Sequence, residues 1–345
     1  MAATTGAGAA GDALLQVRDL TVEIDTGHGR FRAVDGVSFD VPRGAALGLV
    51  GESGSGKSIT LRAVLGLLPP RIRVVAGSVR LDGRDLLTMS TAALDRLRGP
   101  ELAMVFQEPM SALNPVMRVG DQIAEGPRVH EGLGRAAARR RAVELMARVG
   151  IPDPAGRCDA YPHEFSGGMR QRVMIALALS CTPRLLLCDE PTTALDVTIQ
   201  DQILSLLTQL CQENGTSLVF VTHDLAVVAQ TCQDIAVLYA GRVVESGSVE
   251  QVFALPQHPY TLGLLRCAPD VDDIRDTLVP IPGIPPDPLS LPPGCSFTPR
   301  CGFASEQCSL TDVRLRPAGR GREVACLHSD ECADAARTEP AVAGV

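Results

Sequence analysis

The sequence contains a glycine-rich stretch, GESGSGKS, whose residue types and spacing suit the binding of phosphate groups. It follows a short apolar run and precedes an apolar helical pattern, which is the context that a phosphate-binding loop requires. Glycines let successive backbone N–H groups and the start of a helix face phosphate oxygens. Lys57 is predicted to reach the β and γ phosphates of a nucleoside triphosphate, and the Ser58 hydroxyl is predicted to bind Mg²⁺. The predicted nucleotide-binding residues of this loop are Gly51, Glu52, Ser53, Gly54, Ser55, Gly56, Lys57 and Ser58.

A second stretch, LLLCDE, is an apolar run that ends in two adjacent carboxylates. Carboxylates at the carboxyl end of a strand lie where open α/β sheets bind their ligands. Asp189 is therefore predicted to hold Mg²⁺, and Glu190 to orient and polarise a water that attacks the terminal phosphate. A solvated acidic turn is the alternative for such a pair taken alone, but the phosphate loop in the same chain favours hydrolysis.

A third stretch, FSGGMRQR, places a serine and two glycines immediately before an apolar helical pattern. Ser166, Gly167 and Gly168 could form a second anion site at the start of that helix, or they could only cap it. The chain thus has two candidate phosphate-binding stretches more than a hundred residues apart. One nucleotide bound by one chain would need only one of them. The arrangement predicts that two chains pair head to tail and that each closes the nucleotide site of the other.

The elements around these stretches predict an α/β fold with a mostly parallel sheet core. Residues 14–41 alternate apolar and polar side chains around a glycine turn, which predicts antiparallel strands before the phosphate loop. Residues 138–149 have apolar side chains at helical spacing, which predicts a helix with one buried face. Later in the chain, short apolar strands alternate with helices at 185–188, 218–222 and 235–239.

Changes in composition predict the domain boundaries. Proline becomes dense after about Phe253, in IPGIPPDPLSLPPG, which cannot form a helix or a central strand. The predicted divisions are a flexible N-terminus (1–13), a nucleotide-binding domain (14–255) with a helical subdomain (about 108–180), a loop-rich C-terminal extension (256–330) and a flexible tail (331–345).

The overall composition argues against several classes of function. The net charge is −8 and there is no strong basic block, so nucleic acid is not expected as a partner. Aromatic residues make up 3% of the 345-residue chain and tryptophan is absent, so surfaces that stack on bases or sugars are scarce. There is no apolar run of about 18 residues and no secretory signal. We therefore expect a soluble cytoplasmic protein, in which disulfides are disfavoured.

The order and spacing of the three stretches resemble the ATP-binding subunit of ABC transporters from about Leu14 to Phe253. GESGSGKS resembles the Walker A loop, LLLCDE the Walker B strand and FSGGM the signature motif, although the family more often has LSGGQ there. Gln107 in VFQEP resembles the Q-loop glutamine. Asp196 in ALD resembles the D-loop aspartate, and His223 in VTHD resembles the switch histidine.

This resemblance implies two ATP molecules held between a pair of such domains, with the signature residues facing the partner's γ-phosphate. It implies that His223 contacts the γ-phosphate and positions Glu190. Gln107 is implied as a further Mg²⁺ ligand, and Asp196 as part of the same site. An aromatic side chain in the N-terminal turn often stacks on adenine in this family. The candidates here are His28 and Phe31.

Three further segments resemble the ATPases of oligopeptide and dipeptide importers: QEPMSALNP, QHPYT, and IPGIPP with the cysteine segment that follows it. The resemblance implies a peripheral ATPase at the cytoplasmic face of the membrane that energises peptide import. Its implied partners are two permease subunits, a second ATPase subunit that is commonly a paralogue, and indirectly an extracytoplasmic substrate-binding protein. An importer of nickel or another small solute is an alternative, and a soluble ABC ATPase is a less favoured one.

The turn-rich C-terminal segment contains the cysteines Cys295, Cys301, Cys308 and Cys326. They lack the short C-x-x-C spacing that is typical of zinc ribbons, and four thiolates on long loops can hold a 4Fe–4S cluster as readily as Zn²⁺. In the peptide-importer family, an extension with these cysteines is associated with such a cluster, so the resemblance favours 4Fe–4S over Zn²⁺ or free thiols. A metal would fold a segment that is too rich in proline to build its own core.

Overall fold

The computed structural model of the chain describes residues 13–27, 29–108, 112–192, 196–267, 280–319 and 321–338. The adenine-stacking candidate His28, residues 194–195 of the D-loop stretch and the predicted flexible N-terminus up to residue 12 lie outside these ranges. The chain divides into two compact units. The first comprises residues 1–42, 46–87 and 221–345, and the second comprises residues 43–45 and 88–220.

The first unit begins with antiparallel strands, numbered here in chain order: β1 (Ala13–Thr26), β2 (Gly29–Pro42), β4 (Ile72–Leu81) and β5 (Arg84–Asp85). They are hydrogen-bonded in the order β2–β1–β4–β5. Val17 lies opposite Phe39 and Val22 opposite Val34, and all four side chains are buried. The antiparallel pair predicted for residues 14–41 is confirmed, because the alternating pattern places one face of each strand in the core.

The remaining strands of the first unit are β3 (Ala46–Val50), β9 (Asp234–Tyr239), β10 (Arg242–Ser248), β11 (Arg316–Pro317) and β12 (Glu323–Val324). β3 pairs in parallel with β9, whereas β9 with β10, β10 with β12 and β12 with β11 are antiparallel. Every residue of β3 is buried, as in strands that are covered on both faces. The helices are α1 (Lys57–Leu65), α8 (Leu225–Thr231) and α9 (Val249–Ala254).

The second unit contains the parallel pair β6 (Leu102–Val105) and β7 (Leu185–Asp189). Beside β7 lies β8 (Ser217–Thr222), whose first four residues belong to this unit. Its helices are α2 (Thr91–Leu97), α3 (Val119–His130), α4 (Arg135–Arg148), α5 (Pro154–Arg157), α6 (Gly167–Ala178) and α7 (Val197–Asn214). Ala138, Ala142 and Leu145 are buried on one face of α4, which confirms the helix predicted from their spacing. Parallel strands alternating with helices confirm the predicted α/β class.

The C-terminal part of the first unit contains α10 (Pro259–Cys267), α11 (Glu306–Leu310) and α12 (Ser329–Thr338). The proline-rich stretch between α10 and the cysteines has no regular structure in its described part, residues 280–297. Helix α12 differs from the flexible tail predicted for residues 331–345. Its buried residues Cys332 and Ala336 form a small apolar cluster with Leu262 of α10. Tertiary packing therefore stabilises a helix that the short polar sequence does not predict.

Within the described ranges, none of the helices is both long enough and apolar enough to span a membrane.

Candidate nucleotide site

The phosphate loop wraps around the side chain of Lys57. The Lys57 side chain is buried, and its Nζ donates to the carbonyl oxygens of Gly51 at 2.6 Å and Glu52 at 3.0 Å, and to Ser55 Oγ at 3.4 Å. Gly51 has a φ of +151°, and a Cβ there would lie 2.1 Å from the carbonyl oxygen of Leu238. The loop is therefore tightly curled, with an ammonium group at its centre.

Helix α1 begins directly at this loop. Gly56 precedes it with a φ of +103°, and a Cβ at Gly56 would lie 2.5 Å from the carbonyl oxygen of Ala33. The N-cap position is Gly56, which has no side chain of its own, and the N–H groups of the first turn suit an anion. The half-buried Ser58 lies in this turn. The sequence prediction of a glycine loop followed by a helix start is confirmed.

The two predicted carboxylates end β7 in the second unit. Asp189 is 2% exposed, whereas Glu190 is half-buried and has a φ of +46°, which is uncommon for a residue with a side chain. The Nε2 atom of Gln107 donates to Glu190 Oε2 at 3.3 Å. Two of the predicted catalytic side chains, Gln107 and Glu190, are thus in contact, and the contact orients the carboxylate.

The signature residues form the start of α6. The Ser166 hydroxyl accepts from the Met169 N–H at 3.4 Å and caps the helix. Ser166 and Gly167 are exposed, and a Cβ at Gly168 would lie 3.2 Å from Ile199 Cγ2. Capping accounts for the serine within one chain. The predicted contact with a partner's nucleotide remains a prediction, and it concerns an exposed loop.

The remaining predicted residues lie at element ends or edges. His223 is exposed and follows β8 directly. Asp196 is exposed and caps α7, where its Oδ1 accepts from the Ile199 N–H at 3.0 Å. Phe31 on β2 is half-buried and lines a cavity of about 60 Å³ together with Ser53 of the phosphate loop. Its position beside the loop agrees with the adenine-stacking prediction without testing it.

Two residues that the sequence does not predict as part of the site contact the phosphate loop. The carboxylate of Glu52 forms a two-pronged ion pair with the guanidinium of Arg300, at 2.6 and 2.9 Å. The Glu52 N–H donates to the hydroxyl of Tyr260 at 2.7 Å, and burial raises the pKa of that hydroxyl. In the sequence, Arg300 lies between the predicted ligands Cys295 and Cys301, and Tyr260 lies in the HPYT segment. No local pattern connects either residue with Glu52.

The predicted cysteine ligands lie around one small space. A cavity of about 20 Å³ is lined by residues that include Cys295, Cys301, Cys308 and Cys326. The Cys295 N–H donates to the Cys308 carbonyl oxygen at 2.8 Å, which links the first of these cysteines to the third. The structure therefore brings together four thiols that are spread over 32 residues of sequence.

The thiols of this cavity differ in their electrostatic surroundings. Burial raises the pKa of Cys301, and it raises the pKa of Cys326 to about 12. Burial also acts on Cys308, but hydrogen bonds from the backbone and hydroxyl of Ser305 and the nearby His328 bring its pKa below the usual value. Among the described residues, no three His, Cys, Asp or Glu side chains are grouped closely enough to hold a single metal ion.

Comparison with known proteins gives matches for both parts of the chain. Residues 34–193 match the ABC transporter family, and residues 244–308 match the family described as oligopeptide/dipeptide transporter, C-terminal region. The dipeptide transport ATP-binding protein DppD of Escherichia coli (strain K12) is 47% identical over 314 residues, which cover 91% of this chain and 96% of that protein. The oligopeptide transport ATP-binding protein OppD of Haemophilus influenzae is 48% identical over 297 residues, covering 86% of this chain and 92% of that protein.

Solved structures also resemble this chain. The ATP-binding cassette MJ0796, in a dimeric post-hydrolysis state bound to ADP and Pi, has a TM-score of 0.62 and 27% identity. The alignment covers 68% of this chain and 98% of that one. The cbiO1 subunit of the cbiONQ transporter complex of Clostridium perfringens has a TM-score of 0.60 and 28% identity, covering 70% of this chain and 91% of that one.

Proposed function

This chain belongs to the family of ABC transporter ATP-binding subunits, and we propose that it hydrolyses ATP to energise the import of dipeptides or oligopeptides through a membrane transporter. The observation that carries the proposal is that the similarity to the dipeptide and oligopeptide transport proteins continues through the C-terminal extension. ATP-driven uptake of a labelled dipeptide by vesicles that contain the assembled transporter tests it.

In the proposed reaction, the phosphate loop and the carboxylate end of β7 have separate tasks. The loop N–H groups and Lys57 hold the β and γ phosphates of ATP. Glu190 orients and polarises the water that attacks the γ-phosphate, and the products are ADP and phosphate. Gln107 supports this role because its amide N–H already fixes one carboxylate oxygen of Glu190. His223 is proposed to contact the γ-phosphate.

The predicted Mg²⁺ ligands have suitable chemistry. A hydroxyl, an amide and a carboxylate, from Ser58, Gln107 and Asp189, are the hard oxygen donors that Mg²⁺ prefers. Gln107 donates through its amide nitrogen to Glu190, so its amide oxygen is the atom that would bind the ion. When bound, Mg²⁺ neutralises charge on the β and γ phosphate oxygens.

A second ATPase subunit is proposed to complete the site. The exposed residues Ser166 and Gly167, with Gly168, would face the γ-phosphate bound by the partner, and Asp196 would lie at the same interface. Dimers are known for the structural neighbour MJ0796, which supports this arrangement. We propose that the partner is a paralogue, that the pair docks on two permease subunits at the cytoplasmic face of the membrane, and that a substrate-binding protein delivers the peptide from outside.

We further propose that Cys295, Cys301, Cys308 and Cys326 hold a 4Fe–4S cluster. Four thiols around one cavity form the donor set that such clusters use. Their spacing along the chain favours a cluster over one Zn²⁺, because it lacks the short C-x-x-C pairs that are typical of zinc ribbons. The raised pKa of Cys326 means that this thiol must lose a proton on binding, so metal uptake would release protons.

Protein purified without oxygen is expected to contain about four irons and four acid-labile sulfides per chain. Cys326→Ser should lose most of both, because it removes one of four ligands. Cys332→Ala is the matched control, since Cys332 is also a buried cysteine of the extension but does not line the cavity. One zinc per chain without sulfide, or equal iron loss in both variants, would contradict the proposal.

A further inference from the structure

We propose that Arg300 of the C-terminal extension is a positioning residue of the ATP site, which acts by neutralising and fixing Glu52 in the phosphate loop. The inference rests on the proposed ATPase function and goes beyond it, because it makes the extension part of the nucleotide site. Both residues belong to the first compact unit of the chain.

The ion pair between Arg300 and Glu52 is bidentate and mostly buried. Arg300 Nη1 lies 2.6 Å from Glu52 Oε2, and Nη2 lies 2.9 Å from Oε1. The guanidinium thus donates one hydrogen bond to each carboxylate oxygen. The Arg300 side chain is 3% exposed and that of Glu52 is 28% exposed. A two-pronged pair that is largely shielded from water is stronger and better oriented than a surface ion pair.

Aromatic rings hold the arginine in place. Its guanidinium lies 5.8 Å from the ring centroids of Tyr239 and Phe297, and its Nε donates to the Pro282 carbonyl at 3.0 Å. The ring of Tyr260 packs at 4.6 Å from that of Tyr239, and its hydroxyl accepts from the Glu52 N–H. The extension therefore binds the side chain of Glu52 through Arg300 and its backbone N–H through Tyr260.

The pair matters for nucleotide binding because of where Glu52 lies. It is the second residue of a loop whose N–H groups are expected to bind phosphate, and an uncompensated carboxylate there would repel the anion. The carbonyl oxygen of Glu52 also accepts from Lys57 Nζ at 3.0 Å. Loss of Arg300 would therefore leave a negative charge beside the phosphates and loosen a residue that helps to place Lys57.

Equilibrium binding of a fluorescent ATP analogue to the full-length chain tests this inference. Arg300→Met is expected to weaken binding on the order of tenfold, as Coulomb's law gives for one unneutralised charge close to the phosphates. Glu52→Gln should bind more tightly than the wild type, because it leaves the positive charge of Arg300 unneutralised close to the phosphates. The double variant should recover most of the loss, because no carboxylate remains to repel the nucleotide.

Arg322→Met is the matched control. It breaks another buried arginine–carboxylate pair of the first unit, between Arg322 and Glu245, which does not touch the phosphate loop. We expect it to lower the melting temperature while the affinity for the analogue stays unchanged.

Two results would overturn the inference: unchanged affinity in Arg300→Met, or a double variant that binds no better than Arg300→Met. Since Glu52→Gln cannot repair a damaged extension, recovery in the double variant identifies the Glu52 charge as the cause of the loss. A wild-type chain that does not bind the analogue at all would instead contradict the proposed ATPase function.

Discussion

Glu190→Gln is expected to leave ATP binding intact and to lower the rate of phosphate release by about 10²- to 10⁴-fold, the range typical of a lost general base. Glutamine keeps the size of the side chain and can still pair with Gln107, but its neutral amide cannot polarise the attacking water. The carboxylate is already oriented by Gln107 Nε2 at 3.3 Å, so the loss falls on the chemical step. Phosphate release and analogue binding by the same preparation measure the two effects separately.

The control for this variant is Glu213→Gln. Glu213 is an exposed carboxylate near the end of α7 that forms an ion pair with Arg148 at 2.7 Å. Such a surface pair contributes little to stability, so hydrolysis should be unchanged. Rapid turnover by Glu190→Gln would remove Glu190 from its proposed role.

Lys57→Met is expected to weaken ATP binding by about 10- to 100-fold, because hydrogen bonds between charged groups typically contribute about 1.5–3 kcal/mol. In the structure, the ammonium group of Lys57 bonds to the carbonyl oxygens of Gly51 and Glu52. Methionine fills a similar volume but carries no charge and no N–H donors. The loop therefore loses both its bonds to this side chain and its attraction for phosphate. Titration with the fluorescent analogue, alongside a thermal melt, measures this loss.

The melt separates a binding defect from a folding defect. If Lys57→Met melts near the wild-type temperature and binds weakly, the lysine acts on the nucleotide. Wild-type affinity in this variant would show that the loop binds phosphate without its lysine, and the proposed role of Lys57 would be wrong.

The parts of the site that the sequence predicts are those encoded by short, contiguous patterns. The phosphate loop needs glycines where a Cβ would collide with backbone, as at Gly51 and Gly56, and such requirements are visible in eight consecutive residues. The apolar strand before Asp189 and Glu190 is equally local. Helix α4 follows from the spacing of its buried alanines.

The contacts that the sequence does not reveal join residues far apart in the chain. Arg300 and Glu52 are separated by 248 positions, and no local pattern marks Arg300 or Tyr260 as a partner of Glu52. Helix α12 depends on packing against Leu262, so its short polar sequence predicts no helix by itself. Such contacts depend on tertiary structure, which propensity and periodicity do not encode.

The cysteines are an intermediate case. Their number and turn-rich surroundings predict a shared site, and the structure places all four around one cavity. The identity of the metal does not follow from the sequence, because thiolates bind Zn²⁺ and iron–sulfur clusters alike. The iron, zinc and sulfide content of the purified protein is the measurement that distinguishes them.

The role of this chain in peptide import can be measured as ATP-driven uptake of a radiolabelled dipeptide by vesicles containing the assembled transporter. The vesicles would contain the permease subunits, the partner ATPase and this chain, either wild-type or Glu190→Gln, with the substrate-binding protein on the opposite side. We expect uptake that requires ATP and the wild-type chain and that falls steeply with Glu190→Gln. Dipeptide uptake at the wild-type rate with that variant, or ATP-driven uptake of nickel but of no peptide, would contradict this role.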